Sequence, residues 1–225
     1  MSALERVDQT TLAMVGRPED CGLYRWRHRG AAPIDAGIAL VRDEILPTVQ
    51  SMDGCIGKSM MVDRDTGRCI VTTAWETQEA MRATSEAVRP MRDRDMELLG
   101  GQAEVDEWEI AFMHRDHNTR EGACVRVTWM QVAPADIDRA LDVYKLVSLP
   151  AMEELQGFCS ASLLIDRSTG RAVSSATYDS REAMEATREQ GAAVRASSTQ
   201  EARADMLEVA EFELVLAHLH VPEMA

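Results

Sequence analysis

Residues 24–28 carry the side chains of this sequence best suited to acid–base chemistry. Tyr24, Trp26 and His28 alternate with arginines, so in a β-strand all three would lie on one face. A histidine that titrates near neutral pH could remove a proton from a phenol held against the two aromatic rings. His28 is therefore our candidate general base, although a histidine at the solvated end of a strand would give the same pattern.

The other candidate metal-binding histidines lie near the ends of two further segments. His114 follows "AFM", and His218 and His220 alternate in "HLH". Three imidazoles could bind zinc or copper if these segments met. No carboxylate or cysteine joins them at a diagnostic spacing, so we predict no metal site. The sequence also lacks a phosphate-binding glycine loop and a nucleophile motif, and we expect no cofactor.

Composition and charge limit the possible partners. The chain has 225 residues, a net charge of -14 and a hydrophobic fraction of 45%, values typical of a globular protein with an acidic surface. This acidity argues against a nucleic-acid partner and leaves a small-molecule substrate as the expected one. No apolar run approaches the roughly 20 residues of a membrane helix, and the N-terminus lacks a signal-peptide pattern. We therefore expect a cytoplasmic protein with no membrane partner.

Cysteine and lysine usage add two further expectations. The five cysteines form no C-x-x-C pair, and the matching positions of Cys21 and Cys124 do not require a bridge, so we predict five free thiols. Lys58 and Lys145 are the two lysines among the 24 basic residues. That preference for arginine is typical of a GC-rich genome of the actinobacterial type.

The elements that must position these residues belong to a sequence that is repeated once in the chain. The shift that places Gly54 on Gly157 also superposes, without a gap, the sequences "DRDTGR" and "DRSTGR", and then "ETQEAM" and "DSREAM". A tandem duplication at this period predicts two copies of one structural unit. We predict an N-terminal arm at 1–20, a first domain at 21–113, a linker at 114–123 and a second domain at 124–225.

Within each copy the hydrophobic periodicity predicts the order β-α-β-β-α-β. The first strands are predicted at 23–28 and 125–132, and each copy continues with a helix, a hairpin turning at Gly67 or Gly170, a second helix and a closing strand. Thr77 and Ser180 are predicted N-caps of the second helices. Pro90 predicts a break or kink in the first of these helices, and the second is predicted to reach Leu207.

This order predicts an α+β fold made of tandem ferredoxin-like repeats. A ferredoxin-like sheet carries its helices on one face and leaves the other face apolar. Two copies in one chain can cover each other, which predicts an intrachain pseudo-dimeric α+β barrel that is either a monomer or a homodimer.

The repeated motifs resemble the antibiotic biosynthesis monooxygenase domain of the dimeric α+β barrel superfamily. The resemblance rests on Leu46-Pro47, on the D-x-x-T-G-R hairpin and on the A-W-E-x-x-E-A-M segment that contains Trp75. It implies a pocket between sheet and helices into which Trp75 points, with Tyr178 as its counterpart. In the haem-degrading branch an iron-ligating histidine follows about ten residues later. Here Ser85 and Arg188 stand at that position, which disfavours haem degradation.

The resemblance favours a small-molecule enzyme similar to cofactor-independent monooxygenases, which oxidise electron-rich aromatic or polyketide-like substrates with O2. A non-catalytic binding or scaffold protein and a non-redox isomerase or cyclase remain alternatives, as does a purely structural role for Trp75. We assign the site to the first copy, because its first strand carries the aromatic residues and His28. The candidate substrate-binding residues are Tyr24, Trp26, Trp75, Arg82 and Arg89, and the counterparts in the second copy are Trp129 and Tyr178.

Overall fold

The computed structural model describes residues 10–15, 32–99 and 105–219. The contacts within the chain divide these residues into two units. The first contains the described residues up to Glu107 together with residues 216–219, and the second is Trp108–Val215. The predicted domain limits themselves stay predictions.

Eight strands and seven α-helices are described, in an order that repeats once. The strands are β1 (Thr10–Val15), β2 (Cys55–Asp63), β3 (Arg68–Trp75), β4 (Val105–Arg115), β5 (Cys124–Val132), β6 (Phe158–Asp166), β7 (Arg171–Tyr178) and β8 (Ala204–Leu219). The helices are α1 (Ala32–Leu40), α2 (Leu46–Gln50), α3 (Gln78–Leu99), α4 (Ile137–Val143), α5 (Leu149–Glu153), α6 (Arg181–Ala186) and α7 (Arg188–Ala202).

The first unit contains an antiparallel sheet in the order β1-β3-β2. β3 pairs with Thr10–Val15, which the sequence analysis assigned to the N-terminal arm. The run "TTLAMV" is rich in residues that favour strands, which accounts for its use here. Residues 23–28, the predicted first strand, lie outside the described residues, and so does Cys21.

A π-helical turn interrupts the first helix of each repeat at the same place. These turns are Val41–Ile45 and Tyr144–Ser148, and each is followed by a Leu-Pro pair. The leucine N–H donates to a carbonyl five residues back, Leu46 to Val41 and Leu149 to Tyr144. Proline lacks an N–H, so the helix already loses one regular hydrogen bond there and can accommodate the wider turn.

The predicted hairpins are confirmed, and hydrogen bonds within each turn explain why both repeats have the same turn sequence. The carboxylate of Asp63 accepts hydrogen bonds from the N–H groups of Asp65 and Thr66, and Asp166 does the same in the second repeat. Gly67 and Gly170 then adopt φ values of 76°, which a residue with a Cβ rarely adopts.

The second unit contains a five-stranded antiparallel sheet in the order β8-β5-β7-β6-β4. Residues 109–115 of β4, the predicted closing strand of the first repeat, pair with β6 of the second. The side chains of β4 give the reason. Phe112 packs edge-on against Tyr144 with ring centroids 5.5 Å apart, within the core that this sheet shares with its helices.

The structure changes two predictions about the second helices: of the break or kink predicted at Pro90 it excludes the break, and the helix of the second repeat ends earlier than predicted. α3 continues through Pro90 without a break, and residue 86, whose carbonyl loses its regular partner there, is exposed to water that can hydrogen-bond it. In the second repeat the helix ends at Ala202 rather than Leu207, because Arg203 adopts the left-handed conformation that terminates helices and β8 starts at Ala204. Ser180 and Thr77 accept from the N–H groups of Ala183 and Ala80, as expected of N-caps.

These elements confirm the predicted α+β class with ferredoxin-like repeats. The core of the second unit lies between its sheet and its helices and includes Tyr178, Phe158 and Met184. The four described cysteines are free thiols. Among the described residues no helix is both long and apolar enough to cross a membrane.

Candidate functional site

Three of the predicted site residues, Tyr24, Trp26 and His28, lie outside the described residues. Trp75 is 1% exposed at the end of β3, and its indole N–H donates to Thr73 Oγ1 at 3.2 Å. Its polar atom is thus satisfied by its own strand, as in a packing role.

The predicted helix arginines form ion pairs on the surface of α3. Arg82 lies 3.5 Å from Glu107, and Arg89 lies 2.7 Å from Glu86 one turn earlier. Their side chains are more than half exposed, so such pairs contribute little to stability. His114 lies 2.9 Å from Glu153, and His220 lies outside the described residues.

Tyr178 and Trp129, the predicted counterparts in the second repeat, lie on opposite faces of the sheet. Cys124 of β5 is paired directly with Tyr178 of β7, so these two side chains share a face. Trp129 is an odd number of residues from Cys124 along the same strand and therefore faces the other way, where it contacts Phe212. The two aromatic residues cannot stack on one ligand.

On the helix-facing side of this sheet, three hydrogen-bond donors converge beside Gly191 of α7. A Cβ atom built on Gly191 would lie 3.0 Å from Arg126 Nη1, 3.3 Å from Arg195 Nη1 and 3.8 Å from Tyr178 Oη. The guanidinium of Arg126 also lies over the Tyr178 ring at 5.4 Å from the centroid. We call Arg126, Arg195 and Tyr178 the donor cluster.

The charge around the donor cluster is positive. Arg126 donates to Glu211 at 3.0 Å and to the Met184 carbonyl at 2.8 Å, and Arg188 donates to the other oxygen of Glu211 at 2.8 Å. Glu211 thus pairs with two guanidinium groups, and Arg195 adds a third close to the cluster. Arg126 is 2% exposed, and its Nη1 has no hydrogen-bond partner among the described residues.

The ionisation of these groups follows from their surroundings. Burial, and next the charge of Arg126, lower the pKa of Arg195 below its ordinary value. Burial works against the ionisation of Glu211, but hydrogen bonds and charge from Arg126 and Arg188 hold its pKa below 4.5. The site therefore keeps Glu211 charged. Arg126 is buried, Arg195 is partly buried and Arg188 is exposed, and together their positive charge exceeds that of Glu211, an excess that an anion would neutralise.

An apolar cavity lies farther along α7 on the same side of the sheet. Its volume is about 50 Å³, and its walls include Met130, Ile137, Leu141 and Leu163. Tyr144, whose pKa is raised by burial, also lines it, and the Tyr144 hydroxyl donates to the Ser162 carbonyl. Ser198 Oγ, at its α7 wall, has no hydrogen-bond partner among the described residues. At about 10 to 15 Å³ per water the cavity has room for a few water molecules.

Similarity to a related sequence shows the family to which the chain belongs. The chain is 58% identical over 191 residues to the uncharacterized protein Rv2557 of Mycobacterium tuberculosis strain H37Rv, an alignment that covers 85% of each chain. The chain belongs to the family of Rv2557. No family model matches the sequence.

Solved structures show the fold of this Rv2557 family member. An anthrone oxidase-like protein matches 98% of the chain over 97% of its own, with a TM-score of 0.63 and 16% identity. A ferredoxin-fold protein from Listeria monocytogenes, described as related to antibiotic biosynthesis monooxygenases, matches 93% of the chain over 95% of its own, with a TM-score of 0.52 and 8% identity. The resemblance drawn from the sequence is therefore confirmed at the level of the fold.

The donor cluster of this family member was missed by reasoning from the sequence. Arg126 is one polar residue in the strand "VRVTW", and a charge there gives no sign that it is buried. Arg188, Gly191 and Arg195 follow at i, i+3 and i+7, a spacing that places all three on one helix face. That pattern was the available signal. The first repeat has Ser85 and the buried Val88 at the positions of Arg188 and Gly191.

Proposed function

We propose that the protein is a small-molecule enzyme whose second unit binds the anion of an electron-rich aromatic compound and oxidises it with O2 without a cofactor. The convergence of Arg126, Arg195 and Tyr178 on one point beside Gly191 carries this proposal. Three donors aimed at one point suit a single negatively charged oxygen, such as that of a phenolate, enolate or carboxylate.

The positive charge of the site is what such a reaction needs. A phenol or enol bound against two guanidinium groups loses its proton more readily, because the charges stabilise the oxyanion. The electron-rich anion then reacts with O2 at carbon. For a substrate of the anthrone type, the methylene carbon loses a proton, the carbanion adds O2, and the peroxide loses water, so CH2 and O2 become C=O and H2O.

The apolar cavity suits the hydrocarbon part of such a substrate. Arg126 of the donor cluster and Met130 of the cavity wall lie four residues apart on one face of β5, which is about 13 Å along a strand. A fused ring system could extend from one to the other. The cavity is smaller than typical ligand pockets of roughly 300 Å³ or more, so binding requires α7 to move outward.

Oxygen uptake with anthrone tests the reaction. We expect the purified chain to consume O2 and release anthraquinone in equal amounts, faster than buffer does, with no added metal or cofactor. Arg195→Gln should lower kcat/KM at least tenfold, because it removes a cationic donor from the oxyanion. The matched control is Arg139→Gln, since Arg139 lies on α4 and donates to the Glu201 carbonyl outside the cluster. Equal loss in both variants would contradict the proposal.

Binding without chemistry is the second candidate function. The described groups that converge at Gly191 can all donate hydrogen bonds, and the nearby carboxylate of Glu211 is paired with two arginines. Such a site favours binding of an anion over removal of a proton. The predicted base, His28, stays a proposal as the proton acceptor. If 2-naphthoate binds and its neutral amide does not, while no aromatic substrate is turned over, the protein is a binding module for aromatic anions.

A further inference from the structure

A second polar cluster in the second unit brings together an imidazole, a thiol and a carboxylate. His117 Nε2 lies 3.0 Å from Asp179 Oδ1, and Cys159 Sγ lies 3.4 Å from the same oxygen. All three ligand atoms lie within 4.8 Å of one another. None of these residues belongs to the donor cluster.

The two separations that involve Asp179 Oδ1 are close to the edges of a tetrahedral metal site. With ordinary zinc bond lengths, a nitrogen and an oxygen ligand lie about 3.3 Å apart, and a sulfur and an oxygen ligand about 3.5 Å apart. Nitrogen, sulfur and oxygen donors in this combination suit zinc and its close neighbours among the divalent transition metals.

Backbone hydrogen bonds fix the three ligands relative to one another. The N–H groups of Asp116 and His117 both point to the Cys159 carbonyl, at 2.8 and 3.4 Å, and the Asp179 N–H donates to the Gly157 carbonyl at 2.8 Å. Cys159 is the extra residue of a bulge in β6, between Phe158 and Ser160. Bulges of this kind are frequent beside functional sites because they redirect a side chain.

The carboxylate of Asp116 orients the imidazole of His117 through Nδ1, the ring nitrogen that does not contact Asp179. His117 Nδ1 lies 2.8 Å from Asp116 Oδ2. With the proton on Nδ1, the Nε2 lone pair faces Asp179 Oδ1, to which Cys159 Sγ also lies close, the arrangement that carboxylate partners impose on metal-bound histidines. His117 and Asp179 remain about one third exposed while Cys159 is buried, so a bound ion would keep one side open to solvent.

We propose that His117, Cys159 and Asp179 bind one zinc-class divalent metal ion, with Asp116 as the positioning residue for His117 and a fourth position open to solvent. The first repeat has Ile56 and Glu76 in place of Cys159 and Asp179, so the site belongs to the second repeat alone. A protonated His117 paired with both aspartates would also satisfy these contacts. Metal titration separates the two explanations.

The experiment titrates the full chain with Co²⁺ and Zn²⁺ after removal of metal by a chelator. We expect one equivalent of Co²⁺ to give a thiolate-to-cobalt charge-transfer band and intense visible bands typical of tetrahedral coordination, and Zn²⁺ to displace them. Cys159→Ser should abolish the charge-transfer band, and His117→Gln should weaken binding at least tenfold. Cys124→Ser, which removes a buried cysteine outside the cluster, should change neither.

Asp116→Asn extends the test to the positioning role. It leaves all three ligands in place and should weaken Zn²⁺ binding about 10- to 100-fold, as loss of such partners does elsewhere. It also keeps the test valid if Cys159→Ser fails to fold, because Asp116 is exposed. Wild-type protein that takes up no stoichiometric Co²⁺, or a charge-transfer band that survives in Cys159→Ser, would overturn the proposal.

Discussion

Arg126 is the residue on which the site depends most. A guanidinium that is 2% exposed is costly to bury, and Glu211 and the Met184 carbonyl satisfy only part of it. A buried donor with no partner costs about 1 to 3 kcal/mol. In a functional interpretation, an anionic oxygen at Nη1 supplies the missing hydrogen bond, which explains why the chain keeps a destabilising group in this core.

Tyr178 and Trp75 should respond differently to loss of their polar atoms. Tyr178→Phe removes one donor from the cluster, so we expect 2-naphthoate to bind about 10- to 100-fold more weakly. Trp75→Phe should lower stability by about 1 to 2 kcal/mol through lost packing and leave binding unchanged. Isothermal calorimetry and urea unfolding measure the two effects. If Trp75→Phe weakens binding and Tyr178→Phe does not, the site lies in the first repeat, as the sequence-based hypothesis holds.

The ion pair of Glu211 predicts a pH-dependent stability. Because its pKa is lowered in the folded protein, its contribution is fully present above the unfolded value near 4.5 and is lost as the pH falls through the folded value. Glu211→Gln should cost about 2 kcal/mol at pH 7, less than a fully buried pair, since Glu211 is 20% exposed. In urea unfolding from pH 7 to pH 3 the difference from wild type should shrink. A constant difference would mean that charge is not its origin.

At the scale of elements, α7 leaves space for the donor cluster because its residue 191 is a glycine. Gly191 lowers helix propensity by about 1 kcal/mol relative to alanine, yet it lies on the buried face of α7 where the donors converge. We infer that the space it leaves is the binding position for the anionic oxygen.

Gly191→Ala should therefore separate stability from binding. The new methyl group would lie 3.0 Å from Arg126 Nη1, in the place of the ligand oxygen, so 2-naphthoate binding should be lost. Unfolding free energy should change by less than about 1 kcal/mol, because gained helix propensity offsets a small shift of the arginine. The control is Ala193→Gly on the exposed face of α7, which should lower stability and leave binding intact. Undiminished binding in Gly191→Ala would exclude this position.

The elements that the sequence predicted well are those fixed by local chemistry. The Asp-Thr-Gly turns and the N-caps at Thr77 and Ser180 depend on neighbours two or three residues away, and the hairpins and helices followed from them. The pairing of β4 with β6 depends on which core accepts Phe112, and no local pattern contains that information. The same holds for His117 and Asp179, which meet across 62 residues.

At the scale of the whole molecule, the two repeats keep one set of turns and differ in the side chains around their second helices. Each repeat has a glycine packed against an alanine at the start of its second helix, Gly54 against Ala80 and Gly157 against Ala183, where an added Cβ would approach to 2.7 Å. These paired contacts maintain the shared architecture. The donor cluster and the Cys159 cluster lie in the second repeat, and the first repeat has apolar residues at key positions of each, Val88 in place of Gly191 and Ile56 in place of Cys159.

Net charge makes a last prediction for the whole chain. A charge of -14 repels an incoming anion, while of the arginines that bind it Arg126 is buried and Arg195 is partly buried, so both act at short range. Salt shortens the range of exposed charges from about 30 Å at 0.01 M to about 10 Å at 0.1 M. The association rate of 2-naphthoate, measured by stopped-flow fluorescence, should therefore rise severalfold over this range, with little change in dissociation. The neutral amide provides the baseline and should show no salt dependence. If the association rate falls with salt instead, the field of Arg126, Arg188 and Arg195 extends into solvent and steers the ligand despite the acidic surface.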